Sequence, residues 1–231
     1  MIPEMMLGTS PFIGAGQFGA RSLEYRRTFY DQPENMKRLF LASARLGINA
    51  VQLIAYQPLI EALQDAEKVA GRFFKVVTIV ENFREDLDRV SVLEPEYVAP
   101  HAIFCDGLDP GLDEWIDDIR EIGAMPAACT HNPGITIPRL EDRGFEAYLA
   151  PLNPAGYMMR PDFDSVIRAV TETDRIIIAI KPLAAGKLTP DVSLFRFIYE
   201  YADSMAVGMT SEREIEEVSS ILRSGAVEGV R

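Results

Sequence analysis

The stretch RIIIAIKPLAAGKLTP, Arg175–Pro190, decides how the rest of this chain is read. Ile176–Ile180 is an uninterrupted apolar run with charge before it and Pro182 behind it. That pattern suits a parallel strand buried on both faces, whereas a strand with one wet side would alternate. Lys181 then stands where the strand leaves the core, ahead of a turn that carries Gly186. Lysine rarely ends a buried strand unless it meets an anion, forms a Schiff base or pairs with a carboxylate. The plain structural alternative is an ion pair between Lys181 and Glu81 across the mouth of the fold.

Outward from this strand the same unit recurs. Leu7–Gly16 reads as a short strand and Gly-rich turn, Gln17–Gln32 as a long loop rich in Arg, Tyr and Phe, and Glu34–Leu46 as an amphipathic helix. Strand-then-helix pairs follow at Ala50–Ala55 and Pro58–Ala70 and at Phe74–Val80 and Arg84–Val92; Tyr97–Phe104 contains the fourth strand, its register left open by Pro100, and Leu112–Ile122 is the helix after it. Further pairs read as Met125–Thr130 with Ile137–Arg143, Glu146–Leu152 with Phe163–Thr171, Arg175–Ile180 with Asp191–Tyr201, and Met205–Gly208 with Ser211–Arg223. The last helix opens on Ser211-x-x-Glu214, the form of a capping box. Eight such units with short connections predict one (β/α)8 TIM barrel over residues 1–231. A doubly wound sheet is the alternative, and Gly14-Ala-Gly16-Gln-Phe-Gly19 has the GxGxxG spacing, but no helical pattern opens there.

Composition narrows the function classes. The 231 residues are 48% hydrophobic and 25% charged, with a formal charge of -12, so one soluble globular core is expected, and nucleic acid or an anionic membrane is not, since both need a basic surface. Two cysteines far apart, Cys105 and Cys129, without CxxC, suit free thiols in a reducing cytoplasm. No apolar run approaches the roughly 20 residues of a membrane span, and the N-terminus lacks the pattern of a signal peptide. The expected partner is a small molecule; oligomeric state is not legible.

In a barrel, chemistry sits at the carboxyl ends of the strands. The candidates there are Gln17, Gln52, Glu81 and Asn82, His101 or Asp106, His131 and Asn132, Asn153, Lys181, and Thr210 with Ser211. His101 and His131 are the two histidines of the chain and fall on neighbouring strands, so their rings can converge. Cys129 lies two residues before His131 and points the same way on a strand, with Cys105 near; Cys, His and a carboxylate could ligate a divalent metal. Asn153–Met159 and Tyr25-Arg26-Arg27 are candidate covers over a substrate. Trp115, at helical spacing with Ile119 and Ile122, reads as packing.

Leu7-Gly8-Thr9-Ser10, Leu46-Gly47-Ile48-Asn49, Pro182–Leu188 and Val207-Gly208-Met209-Thr210-Ser211 resemble, in order and spacing, segments of the aldo-keto reductase family. The resemblance implies an NADPH-dependent (β/α)8 barrel with a catalytic Asp, Tyr, Lys and His. Carried over residue by residue, Tyr56 matches the tyrosine and His101 the histidine if the fourth strand is short. The aspartate position holds Val51 or Gln52, and the lysine position falls near Ile79, Val80 or Glu81. Without those partners Tyr56 is a poor proton donor. Thr210 and Ser211 could offer donors to a phosphate at a helix N-terminus, while Glu212 disfavours a 2′-phosphate. Ile122–Thr136 is also locally similar to the fifth strand of phosphate-binding sugar epimerases.

The sequence-based expectation is thus an enzyme in which Lys181, His131, Glu81 and His101 replace that tetrad. Glu81 or His131 moves a proton, Lys181 stabilises an anionic group or developing oxyanion, and Asn153 orients the substrate, with Gln52, Tyr56, Thr210 and Ser211 also in contact. Lyase, isomerase or hydrolase chemistry on a small anionic or phosphorylated metabolite fits. The alternatives are an NAD(P)H-dependent oxidoreductase using Tyr56 and a barrel that only binds a ligand.

Overall fold

In the computed structural model, which describes residues 1–226, eight parallel strands close into a barrel in sequence order, β8 pairing back onto β1. They are β1 Met5–Gly8, β2 Ala50–Ile54, β3 Phe74–Ile79, β4 Tyr97–Pro100, β5 Met125–Cys129, β6 Ala147–Pro151, β7 Ile176–Ile180 and β8 Ser204–Gly208. The longer helices returning the chain are Pro33–Arg45, Gln57–Ala70, Phe83–Ser91, Leu112–Glu121, Pro133–Leu140, Phe163–Glu172, Val192–Tyr201 and Glu212–Ile221. The rhythm of the sequence therefore produces the TIM barrel expected of it; residues 227–231 of the expected span lie outside the described residues. Among the described residues no helix is long and apolar enough to cross a membrane.

Each strand is dry on both sides, which is why the sequence shows runs rather than alternation. Val51, Val77, Ile177 and Ala179 pack outward with helix residues such as Leu39 and Leu63. Met6, Ala50, Val76, Ala99, Cys129, Leu149 and Ile178 meet inside the barrel in a separate cluster. Successive residues thus alternate between axis and helix layer, and this parity decides which residues beyond the last strand position can reach the mouth.

One expectation is corrected and another is sharpened. Gln17–Gln32 is not an open loop: it contains helical turns at Gly16–Arg21, Ser22–Tyr25 and Arg26–Tyr30, held by Phe18 on Tyr25 (5.3 Å between ring centroids) and Phe12 on Phe29 (4.9 Å). Gly14 makes the entry possible, because it has φ +63° and a Cβ there would lie 2.2 Å from the Ser22 carbonyl oxygen. The fourth strand, contained in Tyr97–Phe104 as expected, stops at Pro100. Pro100 has no N–H for the ladder, and the next donor, His101 N–H, reaches the Ile79 carbonyl at 2.8 Å as the chain turns into the short helix Ala102–Cys105.

Candidate active site

The barrel's carboxyl-terminal mouth holds a cavity of about 310 Å³. Its floor is made of inward-facing strand residues, among them Gly8, Gln52, Thr78, Leu149 and Ile180, and Phe18, Arg21 and Tyr25 of the first connection help to cover it. His101, Cys129, His131 and Lys181 all line this space.

Parity accounts for the histidines. Cys129 faces the axis, so His131, two residues on, does too; Ala99 and His101 repeat the relation on the neighbouring strand. Lys181 is different. Ile178 packs inside and Ile177 and Ala179 outside, so a regular continuation would aim Lys181 into the helix layer. Its backbone is instead left-handed, φ +58°, which breaks the alternation and returns the side chain to the cavity. A bulky residue is costly in that conformation. The Lys181 carbonyl is accordingly held, accepting from Ala184 N–H at 2.9 Å and from Asn153 Nδ2 at 3.3 Å.

The outcome is a cluster of three basic groups. Lys181 Nζ lies 3.1 Å from His131 Nε2, and the His131 ring meets His101 edge to face with centroids 5.1 Å apart. Burial, reinforced by the Lys181 ammonium, pushes His131 down to about 3. His101 is lowered by burial and Lys181 against the pull of Asp106. Burial lowers Lys181 too, with Cys129 and Asp106 opposing, and burial pushes the Cys129 thiol up to about 11. Burial thus disfavours the charged form of all three basic groups. His101 Nδ1 accepts from Ile103 N–H at 3.3 Å, so its ring proton resides on Nε2.

The other expected site residues go elsewhere. Glu81 is exposed and follows Thr78 by three residues, out of phase with the axis-facing side of β3. It meets the Tyr56 hydroxyl, whose pKa is raised by burial and then by that carboxylate. Neither Tyr56 nor Glu81 lines the cavity. The anticipated Lys181–Glu81 ion pair does not form, because Glu81 points away from the mouth while Lys181 turns into it. Gln52 stays on the floor, its Nε2 donating to Thr78 Oγ1 at 3.0 Å. Asn153 is buried and spends its amide on Tyr157 N–H (2.8 Å), the Tyr157 carbonyl (3.0 Å) and the Lys181 carbonyl. It positions two loops instead of facing the cavity.

Thr210 and Ser211 are engaged as well. Ser211 Oγ accepts from Glu214 N–H at 3.2 Å, as a capping box requires, but the Glu214 carboxylate reaches back to Thr210 N–H (2.6 Å) and Thr210 Oγ1 (3.1 Å) instead of to the Ser211 N–H. Those donors are thereby taken by the chain's own carboxylate. The Glu214 carboxylate also places a negative charge at this helix start, which opposes a phosphate there.

Among the described residues no three His, Cys, Asp or Glu side chains group into a metal site. The Cys–His–carboxylate set that could have held a metal does not assemble among the described residues. Cys105 Sγ donates to the Pro100 carbonyl at 3.2 Å, its thiol is raised well above the ordinary value by burial, and the cation beside His131 is Lys181.

Asp106 is the residue that sequence reasoning left as an alternative. Its carboxylate accepts from Thr130 Oγ1 (2.5 Å), Thr136 Oγ1 (2.7 Å) and His131 N–H (3.0 Å), fixing the backbone that carries His131. It lies 25 positions before His131 in the chain, and no local pattern signals the contact. Arg21, in the covering segment, donates to the Ala185 carbonyl at 3.2 Å and borders the cavity.

No protein-family model matches the chain, and no curated protein matches its sequence. Solved structures do. An aldo-keto reductase from Klebsiella pneumoniae in complex with NADPH has a TM-score of 0.65 at 12% identity, covering 96% of this chain and 86% of that one. Phosphoribosyl anthranilate isomerase from Thermus thermophilus gives 0.58 at 13%, with 81% and 94% covered. Thiamine phosphate pyrophosphorylase from Pyrococcus furiosus gives 0.56 at 12%, with 87% and 93% covered. What is shared is the barrel, and the likeness to aldo-keto reductases that the sequence motifs imply is present in the fold.

Proposed function

We propose that this chain is an enzyme of aldo-keto-reductase-like ancestry that carries out lyase, isomerase or hydrolase chemistry by proton transfer on a small anionic or phosphorylated metabolite. The observation that carries the proposal is the 3.1 Å contact between Lys181 Nζ and His131 Nε2 in the cavity at the barrel mouth. A cation placed against a proton acceptor, with no carboxylate within 4 Å of the amine among the described residues, lowers stability unless a ligand uses it.

The pair has a ready acid–base logic. In the free enzyme the ammonium suppresses the basicity of His131. An anionic group settling on Lys181 screens that charge, and His131 becomes a better base once substrate is bound. His131 then takes a proton beside a carbonyl or acyl group while Lys181 donates to the oxygen on which negative charge develops. His101 supplies a neutral Nε2–H donor on the adjacent wall, and Arg21 a second positive charge at the cover.

The test is hydrogen exchange and turnover in D2O, followed by NMR, across small oxo acids, hydroxy acids and sugar phosphates. At least one is expected to exchange or convert, with a loss of about 10² to 10⁴-fold in His131→Gln and Lys181→Met, the usual worth of a positioned acid–base group. Absence of exchange, conversion and ligand-induced shifts of the two histidine resonances across the panel overturns the proposal. Tyr56→Phe leaves turnover unchanged here, whereas a reductase that uses Tyr56 loses it. Tight NADPH binding in a fluorescence titration favours the reductase.

A further inference from the structure

We infer that Lys181 is an amine nucleophile that captures the carbonyl group of a small aldehyde or ketone as an iminium, with His131 relaying the protons. The inference rests on the acid–base reading of the same site and names its substrate class.

The chain has five lysines. Lys37 pairs with Glu34 at 3.7 Å, Lys68 with Asp65 at 2.6 Å and Lys75 with Glu67 at 2.7 Å, while Lys187 stands 4.1 Å above the Tyr157 ring. Each has an anion or an aromatic face that favours the ammonium. Lys181 alone faces another base, His131. Its burial in a cavity also lined by Leu149 and Ile180 disfavours the ammonium and so favours the uncharged amine, which is the nucleophilic form. The left-handed backbone at Lys181, held through its carbonyl by Asn153, keeps the amine inside the cavity. A lysine serving only as a point charge for an anion needs neither the imidazole nor this backbone.

The step balances without an oxidant or reductant. The Lys181 ammonium releases a proton to cavity water, and the free amine attacks the carbonyl carbon, forming the C–N bond as the C=O π pair moves to oxygen. One proton passes from nitrogen through His131 Nε2 to that oxygen, giving the carbinolamine. The nitrogen lone pair then forms C=N and expels the hydroxyl, which leaves as water after His131 takes up the proton first released to cavity water and delivers it. Overall an ammonium and a carbonyl become an iminium and one water. The iminium then draws electrons from the neighbouring carbon, whose proton or C–C bond is the one the acid–base chemistry breaks.

The experiment is trapping with sodium cyanoborohydride at pH 7, using pyruvate, glycolaldehyde or dihydroxyacetone phosphate as the probe. Adducts are located by peptide mass spectrometry on the intact chain. The expected result is a secondary amine at Lys181 with at least one probe, forming at least tenfold faster than at any other lysine and at least tenfold slower in His131→Gln. Lys181→Arg and Lys181→Met, checked for fold by circular dichroism, are expected to lose it. Labelling confined to the other amines, at equal rates in wild type and Lys181→Arg, overturns the inference, as does the absence of an adduct with all three probes. Exchange in D2O without an adduct leaves the acid–base reading standing and this inference refuted; an adduct without exchange or turnover does the reverse.

Discussion

Replacing Lys181 by methionine keeps the length of the side chain and removes its charge, so the variant isolates what the ammonium does to His131. Two positive charges 3.1 Å apart, at an effective dielectric constant of about 40 to 80, repel by about 1 to 3 kcal/mol, or about 1 to 2 pH units. Burial is the larger cause of the fall from 6.5 to about 3, which leaves the ammonium less than half of it, in agreement with that range. The chain has two histidines, so the 13Cε1 resonances of histidine-labelled protein give two titration curves, assigned with His101→Gln. In wild type His131 stays neutral to about pH 3; in Lys181→Met its titration moves up to about pH 4 to 5 and remains below 6.5 because burial persists. Linkage gives the sign. The folded-state value lies below the unfolded one, so stability is complete above about pH 6.5 and lost as pH falls, by about 1.4 kcal/mol per pH unit, until the folded group titrates. That loss ends earlier in the variant, which at pH 3.5 is spared about 1 to 2 kcal/mol of it. Wild-type His131 titrating near 6.5, or an unchanged value in Lys181→Met, refutes the electrostatic account of the site.

Three further outcomes are expected. Lys181→Met is more stable than wild type at pH 7 by about 1 to 3 kcal/mol in urea denaturation, since it removes a desolvated charge; because burial lowers the Lys181 pKa, this advantage shrinks as pH rises toward 10.5, and a destabilised variant contradicts it. Asp106→Asn sets an amide donor against one of three donors that now meet a carboxylate; the expected cost is about 1 to 3 kcal/mol, lowering the melting temperature by about 3 to 10 °C, and a change below about 0.5 kcal/mol removes its positioning role. Asn153→Ala deletes the amide contacts to Tyr157 and Lys181, with an expected loss of about 2 to 4 kcal/mol and slower trapping at Lys181; trapping at the wild-type rate shows that the Lys181 backbone holds itself.

The barrel was legible because its causes are local and repeated. Runs such as Ile176–Ile180 are dry on both sides, each is followed by an amphipathic helix, and short connections leave parallel closure as the arrangement that buries them all. The same logic places His131 and His101 at the mouth, since each continues the axis-facing parity of its strand. The same parity sends Glu81 away from the mouth, toward Tyr56, although it follows its strand as the site residues do.

What the sequence determines by itself is the set of strand ends and their phases, because hydrophobic runs and a two-residue period are properties of the chain taken a few residues at a time. What only the tertiary structure decides is which groups meet. Lys181 should face outward by its phase, and its left-handed backbone, tied to Asn153 on another strand's connection, turns it onto His131. Asp106 finds Thr130, Thr136 and His131, and Glu214 takes the Thr210 donors. These contacts depend on φ at single residues and on side chains brought together by barrel closure, and neither leaves a periodic trace in the chain.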